Sequence, residues 1–478
     1  LNPFKQSQLF IFKVILLAFS LIFESNNCYS QRTITDSSSH FIIDNIIIIG
    51  NKKTKEKIIL RELNFKEGDS ILASEVPDLI TVNKSRIFNT ILFLTVDIIL
   101  IDKNFHHAEI LIHVKERWFI YPIPIFEFAD RNFNEWWQLR NRDPERINLG
   151  INYLQKNVRG RNETLRAKFQ LGFTKKFELF YFIPYLNKKQ TIGLNLDISY
   201  IINKQIPFKT TDHRLVYFDG REYIRNKFRT GILFSYRKKF YQTHVAGVSF
   251  NYNTIGDTIA NLNPDYFLDA RTTQQYFSIK YAFISDRRDV NIYPLKGRYL
   301  KVEAEKLGLG FTKDINQLNL QAELAYYTPL SKKLFLAAGL KQKVSFPKRQ
   351  AYSNVRALGY DKDYVSGYEL YVLDGQHFTL SKINLKYQII STKKHVENLP
   401  SKEFKTIPFT IYFKLHTDAG YVTDNTFNPE NKRLVNEFLI GGGAGLDLVS
   451  YYNIVLRLEY SINRLGNHGF FIHFSSAI

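Results

Sequence analysis

Residue patterns that could carry covalent chemistry are few in this chain, and each fails at its next requirement. Gly441-Gly-Gly-Ala-Gly445 has the glycine density of a phosphate-cradling loop, but no helix start and no Lys follow it, and polar/apolar alternation resumes at once. Strand glycines, placed where a loop or a neighbouring backbone packs closely, account for it better. There is no Gly-x-Ser-x-Gly, no His-Glu-x-x-His and no phosphate loop. The 11 histidines show no metal-ligand spacing beyond His106-His107, which fall in a predicted hairpin tip. The single cysteine, Cys28, excludes an intramolecular disulfide framework and any Cys-based metal site. A lipid-cleaving site would need Ser and His together on one outward strand face, and no convincing pair exists. The expectation is a non-enzyme with no cofactor and no metal.

The elements that would have to position a site point elsewhere than to an enzyme. Only 45% of the 478 residues are apolar, yet 15% are aromatic, with 40 Phe and 29 Tyr. Beyond the extreme N-terminus no stretch approaches the ~20 consecutive apolar residues that a spanning helix needs. The net charge is +20, but Lys and Arg are dispersed through alternating segments rather than gathered on a patch, which argues against nucleic acid. Lys5 and Lys13 precede the short apolar run Val14–Phe23, and Cys28-Tyr29-Ser30 offers small residues before Gln31. That order predicts a secretory signal over residues 1–30. Ser25-Asn26-Asn27 lacks the aliphatic and small residues of a lipoprotein signal.

Residues 40–117 predict a compact β-α-α-β-β unit. Phe41–Gly50 reads as an apolar strand ended by Gly50-Asn51, and Thr54 is placed to cap a helical segment over 55–63. Gly68-Asp69 breaks that helix, and a second runs over roughly 74–90. Two strands, 94–101 and 108–114, close the unit across a polar hairpin.

From Trp118 to Ile478 the pattern has period two. In Thr191–Ile201, Ile192, Leu194, Leu196, Ile198 and Tyr200 alternate with Gly193, Asn195, Asp197 and Ser199; Asn316–Tyr327 and Asn453–Ile462 behave alike. The segments are about 9–11 residues long, as tilted membrane strands require, and recur without intervening helices. Their polar faces carry full charges, which suits a wet lumen. Strand centres fall near residues 123, 151, 168, 180, 196, 232, 247, 280, 301, 321, 338, 384, 411, 440, 457 and 471. The predicted fold is an all-β transmembrane barrel of about 16 antiparallel strands, residues 118–478, preceded by the small α+β domain.

Two sets of residues carry a family resemblance. Ile46-x-Ile48-x-Gly50-Asn51-x-x-Thr54, Arg61-Glu62-Leu63 and Gly68-Asp69 resemble the POTRA domain of the Omp85 superfamily. Between the eleventh and twelfth strands, Asn354-Val-Arg-Ala-Leu-Gly-Tyr360 and Val365-Ser366-Gly367-Tyr368-Glu369 resemble that family's sixth extracellular loop, which folds back into the lumen. Asp286-Arg287-Arg288-Asp289 with Pro294 and Gly297, and His416-Thr417-Asp418-Ala419-Gly420, match further family motifs. The resemblance implies an outer-membrane barrel with a periplasmic POTRA-like domain that captures extended partners at a sheet edge. Its partners would be outer-membrane lipid and unfolded outer-membrane or secreted clients. Whether periplasmic or lipoprotein partners also bind is left open.

In the family an arginine of the loop is held by acidic residues on strands twelve and thirteen. Here Ser366 stands in the arginine's place. By parity Gln388 and Asp418 face the lumen on those strands, with Gly420 completing the motif. The expectation is that Ser366 and Tyr368 anchor the loop through hydrogen bonds, and that Arg at 366 alone adds no stability.

The implied activity is either insertion of barrel proteins, through an openable seam between first and last strands, or export of a dedicated polypeptide. Pro122 and Pro124 in the first strand lack N–H donors on one edge, and either weaken that seam or stiffen the linker. Asn467-x-Gly469-x-x-Ile472-x-Phe474 fits a terminal strand recognised by the barrel-assembly machinery.

Overall fold

The structure, a computed structural model, describes residues 40–474 apart from 105–106, 129–135, 139–140, 219–221, 313, 396–405, 427 and 451–454. The export signal expected over 1–30, with Cys28, lies outside the described residues.

The small domain contains β1 (His40–Ile49), α1 (Glu56–Leu60), β2 (Ser70–Leu72), α2 (Val76–Asn89), β3 (Phe93–Asn104) and β4 (His107–Glu116). Its sheet has the order β2-β1-β4-β3, with β1 and β4 parallel. The helices cover one face, where Ile43, Ile58, Ile59, Ile87, Val96 and Ile112 form the core. Two details differ from the sequence reading. The three-residue β2 is too short to show a period. And Thr54 caps nothing: the N-cap position of α1 is Lys55, with no side-chain cap. The Thr54 hydroxyl instead donates to Glu116 Oε1 at 2.5 Å and accepts from Asn157 Nδ2 at 2.8 Å.

The large sheet begins with β5 (Ile120–Phe128), β6 (Ile147–Val158), β7 (Glu163–Gly172), β8 (Thr174–Ile183) and β9 (Ile192–Asn203). A separate hairpin, β10 (Pro207–Thr211) and β11 (Arg214–Tyr217), precedes β12 (Arg225–Tyr236) and β13 (Gln242–Ile255). After a short helix, α3 (Asp257–Leu262), come β14 (Thr273–Asp286), β15 (Gly297–Leu307), β16 (Gln317–Pro329) and β17 (Leu334–Phe346). The last five are β18 (His377–His395), β19 (Thr406–Thr423), β20 (Phe438–Val449), β21 (Val455–Asn463) and β22 (His468–Phe474). Leaving out β10 and β11, these make one 16-stranded sheet in chain order. Each of the sixteen expected centres lies inside one of its strands.

The sheet is inside out by the standards of a water-soluble core. Ile198, Ile232, Phe234, Ile279, Tyr460 and Ile462 are 44–52% exposed, whereas Lys386, Lys414, Asp447 and Ser461 are 0–1% exposed. Alternation thus sends apolar side chains to lipid and polar ones to the lumen. No helix among the described residues is long and apolar enough to cross a membrane.

The small domain docks on one end of the barrel, called the near end below. Glu62, 2% exposed, receives both terminal nitrogens of Arg237 at 2.9 and 2.8 Å. Arg61 donates to the carbonyls of Gln190 and Arg237, with its guanidinium 5.1 Å from the Tyr185 ring. Arg86 lies 3.8 Å from the centre of the Phe240 ring, and Asn89 exchanges hydrogen bonds with Asp289 and Asn291 at 3.0 and 3.3 Å.

Candidate functional site, a lumenal loop clasped to the last strands

The long loop between β17 and β18 returns into the lumen because its apolar residues find their core there. Ala357, Leu358, Val365, Tyr368, Tyr371 and Leu373 pack against Phe378 and Leu380 of β18, Val422 of β19, and Leu434 and Leu439. At its deepest point Ser366 donates twice to Asp418 Oδ2, from its amide at 3.1 Å and from its hydroxyl at 2.6 Å. Both residues are 4% exposed. Gly367 adopts φ 81° and its carbonyl accepts from Asn463 Nδ2 at 2.5 Å. A Cβ on Gly441 would overlap the Ser366 carbonyl oxygen, and one on Gly420 would crowd Val365 and Leu358. Gly441 of β20 and Gly420 of β19 are therefore clearance for the loop, whereas Gly442, Gly443 and Gly445 lie close against the backbone of the neighbouring strands.

A cation does stand at Asp418, but the barrel wall supplies it. Lys382 and Asp418 are register partners on β18 and β19, with the Lys382 ammonium 3.4 Å from the carboxylate. Gln388 does not reach this place. It pairs with Tyr412, and its backbone N–H donates to the Lys333 carbonyl at 2.8 Å in the near-end turn. Parity put Gln388 on the correct face, but six residues along a strand is about 20 Å, and depth is set by the neighbouring strand. Tyr368 contributes by packing instead of the expected hydrogen bond: it is 2% exposed, and its ring lies 6.1 Å from that of Tyr371.

The loop also grips the end of the chain. Tyr364 stacks on His473 of β22 with ring centres 5.3 Å apart, and its hydroxyl lies 3.2 Å from His473 Nε2. Asn467 Nδ2 donates to the Tyr371 hydroxyl at 2.8 Å. Below this layer, Lys414 bonds Glu459, Arg457 Nε lies 3.2 Å from Asp447, and Tyr293 donates to Asp447 at 2.8 Å. Tyr293 belongs to the turn between β14 and β15, which folds into the lumen and stacks on Tyr412 at 4.9 Å. No motif in the sequence marks Lys382, Asn463, His473 or Tyr293. Strand parity carries the inward direction of Lys382, Asn463 and His473, whereas Tyr293 lies in a turn and has no parity to read.

Burial pushes the Glu369 carboxyl up to about 8 from its ordinary 4.5. A carboxyl whose folded-state value is raised holds its proton more tightly when folded. The stability it confers is therefore complete below pH about 4.5 and lost by pH about 8. Loop protection, measured as the ratio of wild-type to Glu369→Gln proteolysis rates so that the protease's own pH dependence cancels, should worsen across that window and level off above it. A flat ratio would refute the assignment.

Of the remaining expected residues, Gly50 (φ 92°) and Gly68 (φ 85°) occupy turns that need positive φ. Asn51 Nδ2 bonds the Thr54 carbonyl at 3.1 Å, and Asp69 accepts from the Lys66 amide at 2.9 Å. Gly469 and Ile472 lie on β22, with Ile472 45% exposed on the lipid face, and Phe474 pairs with Leu456. Pro122 and Pro124 lie within β5, paired with Tyr153 and Ile151 of β6.

A sixteen-stranded lipid-facing sheet, a lumenal loop and a small α+β domain at one mouth define an outer-membrane barrel of the translocation and assembly class. Residues 157–464 match the Omp85 superfamily domain, and residues 41–117 match the surface antigen variable number repeat, the POTRA domain. The chain belongs to the Omp85 superfamily. Its members are non-enzymatic transporters and assembly factors, and the protein resides in the outer membrane with its POTRA domain in the periplasm. The fold is similar to that of BamA from Haemophilus ducreyi lacking POTRA domains 1-3, at 13% identity and TM-score 0.50, covering 91% of this chain and 85% of that one. It is also similar to CdiB from Escherichia coli, at 9% identity and TM-score 0.50, covering 100% and 99%. No curated protein sequence matches the chain.

Proposed function

We propose that this protein is an assembly and insertion factor that folds client barrels into the outer membrane by opening the seam between β5 and β22. One observation carries the reading: among the described residues no ladder joins these two strands, although every other neighbouring pair of the sheet is bonded. The chemistry of β5 supports it. The Lys156 amide donates to the Phe119 carbonyl at 2.7 Å, in register with the β5–β6 ladder. In an antiparallel pair the bonded residues alternate, so odd-numbered residues of β5 bond β6. Even-numbered residues turn their backbone groups to the seam, and there Pro122 and Pro124 have no N–H to give. Two ladder hydrogen bonds worth ~0.5–1.5 kcal/mol each are thus forgone at closure.

Replacing both prolines with Thr should restore those donors and slow client insertion several-fold, read as the rate at which an added barrel protein becomes protease-resistant in vesicles. An unchanged rate would leave the prolines as a stiff linker. The second reading is a dedicated export pore. Lumen-facing charges and the loop suit either activity, and the seam favours insertion. Depletion of the protein, followed by quantification of outer-membrane and secreted proteins, separates the two. Loss of many unrelated barrels supports the insertase, and loss of one or two secreted proteins alone supports the pore.

A further inference from the structure

The lumen face of β12 has a charge pattern that the seam reading does not use. Ile232, Phe234 and Tyr236 are 45–51% exposed toward lipid, so the odd-numbered residues face inward. Read from the periplasmic end they are Arg237, Ser235, Leu233, Gly231, Arg229, Lys227 and Arg225. Lys227 lies in the field of Arg225, Arg229, Lys176 of β8 and Arg356 of the lumenal loop. By register, the inward rows of β8 and β9 add Lys176, Glu178 and Asp197, and that of β13 adds only Val245, Gly247, Ser249, Asn251, Asn253 and Ile255. Above Arg237, this wall therefore sets four cations, Arg225, Lys227, Arg229 and Lys176, against two carboxylates, and Arg356 of the lumenal loop adds a fifth positive charge. Asp197 is 3.7 Å from Arg229, and Glu178 takes the Ser199 hydroxyl at 3.5 Å. The Nε atoms of Arg225 and Arg229 are buried without a hydrogen-bond partner among the described residues.

The foot of this ladder opens into a cavity of about 690 Å³ between the POTRA domain and the barrel, lined by Ser235 and Leu233 and by Arg61, Arg86, Arg237, Arg287, Arg288 and Lys296. Its carboxylates are already engaged. Glu62 binds Arg237, Asp286 binds Arg288 at 2.5 Å, and Asp289 accepts the Val290 and Leu295 amides at 2.8 and 3.1 Å. Arg86, Arg287 and Lys296 remain as surplus positive charge at the mouth. From Arg237 to Arg225 is about 40 Å along the strand, and inward residues repeat every ~7 Å. An extended polypeptide has the same two-residue repeat.

From this spacing we infer that the cavity and the β12 ladder form a track for an extended client segment with acidic residues at alternate positions. The inference rests on the client-handling function proposed above and adds the chemistry of the segment that is handled. A polypeptide is favoured over lipid phosphate because the ladder lies on the face that alternation turns away from lipid. It is favoured over a free anion because the charges are strung along a line rather than converging on a point.

The full chain in zwitterionic-lipid nanodiscs, titrated calorimetrically with a dodecapeptide of alternating Glu and Ser, tests this. Binding should weaken with salt and fall at least tenfold in Lys227→Gln/Arg229→Gln, and the matching Lys–Ser peptide should not bind. Arg287→Gln, at the mouth and outside the strand, should cost several-fold and serves if the double variant does not fold. Equal binding of both peptides, unchanged affinity in folded variants, or displacement by inorganic phosphate at equal charge would each overturn the track. If depletion removes client barrels yet the peptide fails to bind, only the track falls. If the peptide binds and no client is lost, the client-handling reading falls.

Discussion

Asp418→Ala should release the lumenal loop and raise its cleavage by chymotrypsin about a hundredfold. The carboxylate accepts the amide and hydroxyl of Ser366 and faces Lys382 at 3.4 Å, all with little access to water. Removing it strands two donors and an ammonium group. Breaking a buried charge pair by deleting one partner costs ~3–5 kcal/mol, and each 1.4 kcal/mol is a factor of about ten in the open population. Ser366→Ala should cost less, since the amide bond and Lys382 remain. Ser366→Arg should bring no gain, because a second cation would crowd the one already there. Combining it with Lys382→Gln should return protection toward wild type. The loop carries Tyr360, Tyr364, Tyr368 and Tyr371 for the protease to report on. Wild-type protection in Asp418→Ala would show that the apolar packing of the loop suffices without the carboxylate.

Glu62→Ala should undock the POTRA domain from the barrel mouth. Glu62 is 2% exposed and binds Arg237 with both oxygens, while the Arg237 side chain retains 29% exposure. Partial hydration of the arginine brings the expected cost below that of a fully buried pair, to ~2–3 kcal/mol. A disulfide engineered between Asn89→Cys and Asn291→Cys, whose native side chain and backbone lie 3.3 Å apart, reads the docked population. Cross-linking should fall sharply in Glu62→Ala and in Arg237→Ala, and hardly further in the double variant, because the second deletion removes a group that has already lost its partner. Independent, additive losses would mean that the pair does not hold the interface.

Much of the architecture is legible without coordinates, because a strand writes its two faces into the chain residue by residue. Period two alone located all sixteen strands, and the turn glycines Gly50 and Gly68 marked the small domain. The Gly441–Gly445 run was recognisable as clearance for close packing rather than a phosphate loop. Alternation also says which face a residue takes, and so Asp418 and Gln388 were both sent inward.

Depth and partnership were decided only in three dimensions. Parity is unchanged by sliding two residues along a strand, so nothing local distinguishes Gln388, beside the Lys333 turn, from Lys382, opposite Asp418. Inter-strand register makes that distinction. The same holds for Thr54, which has the right residue type for a cap but is taken by Glu116 and Asn157. Contacts that cross the lumen or the domain boundary join residues such as Glu62 and Arg237, or Tyr364 and His473, that lie far apart in sequence. Their meeting depends on how sixteen strands stack around a common interior, and no local pattern in the chain encodes that.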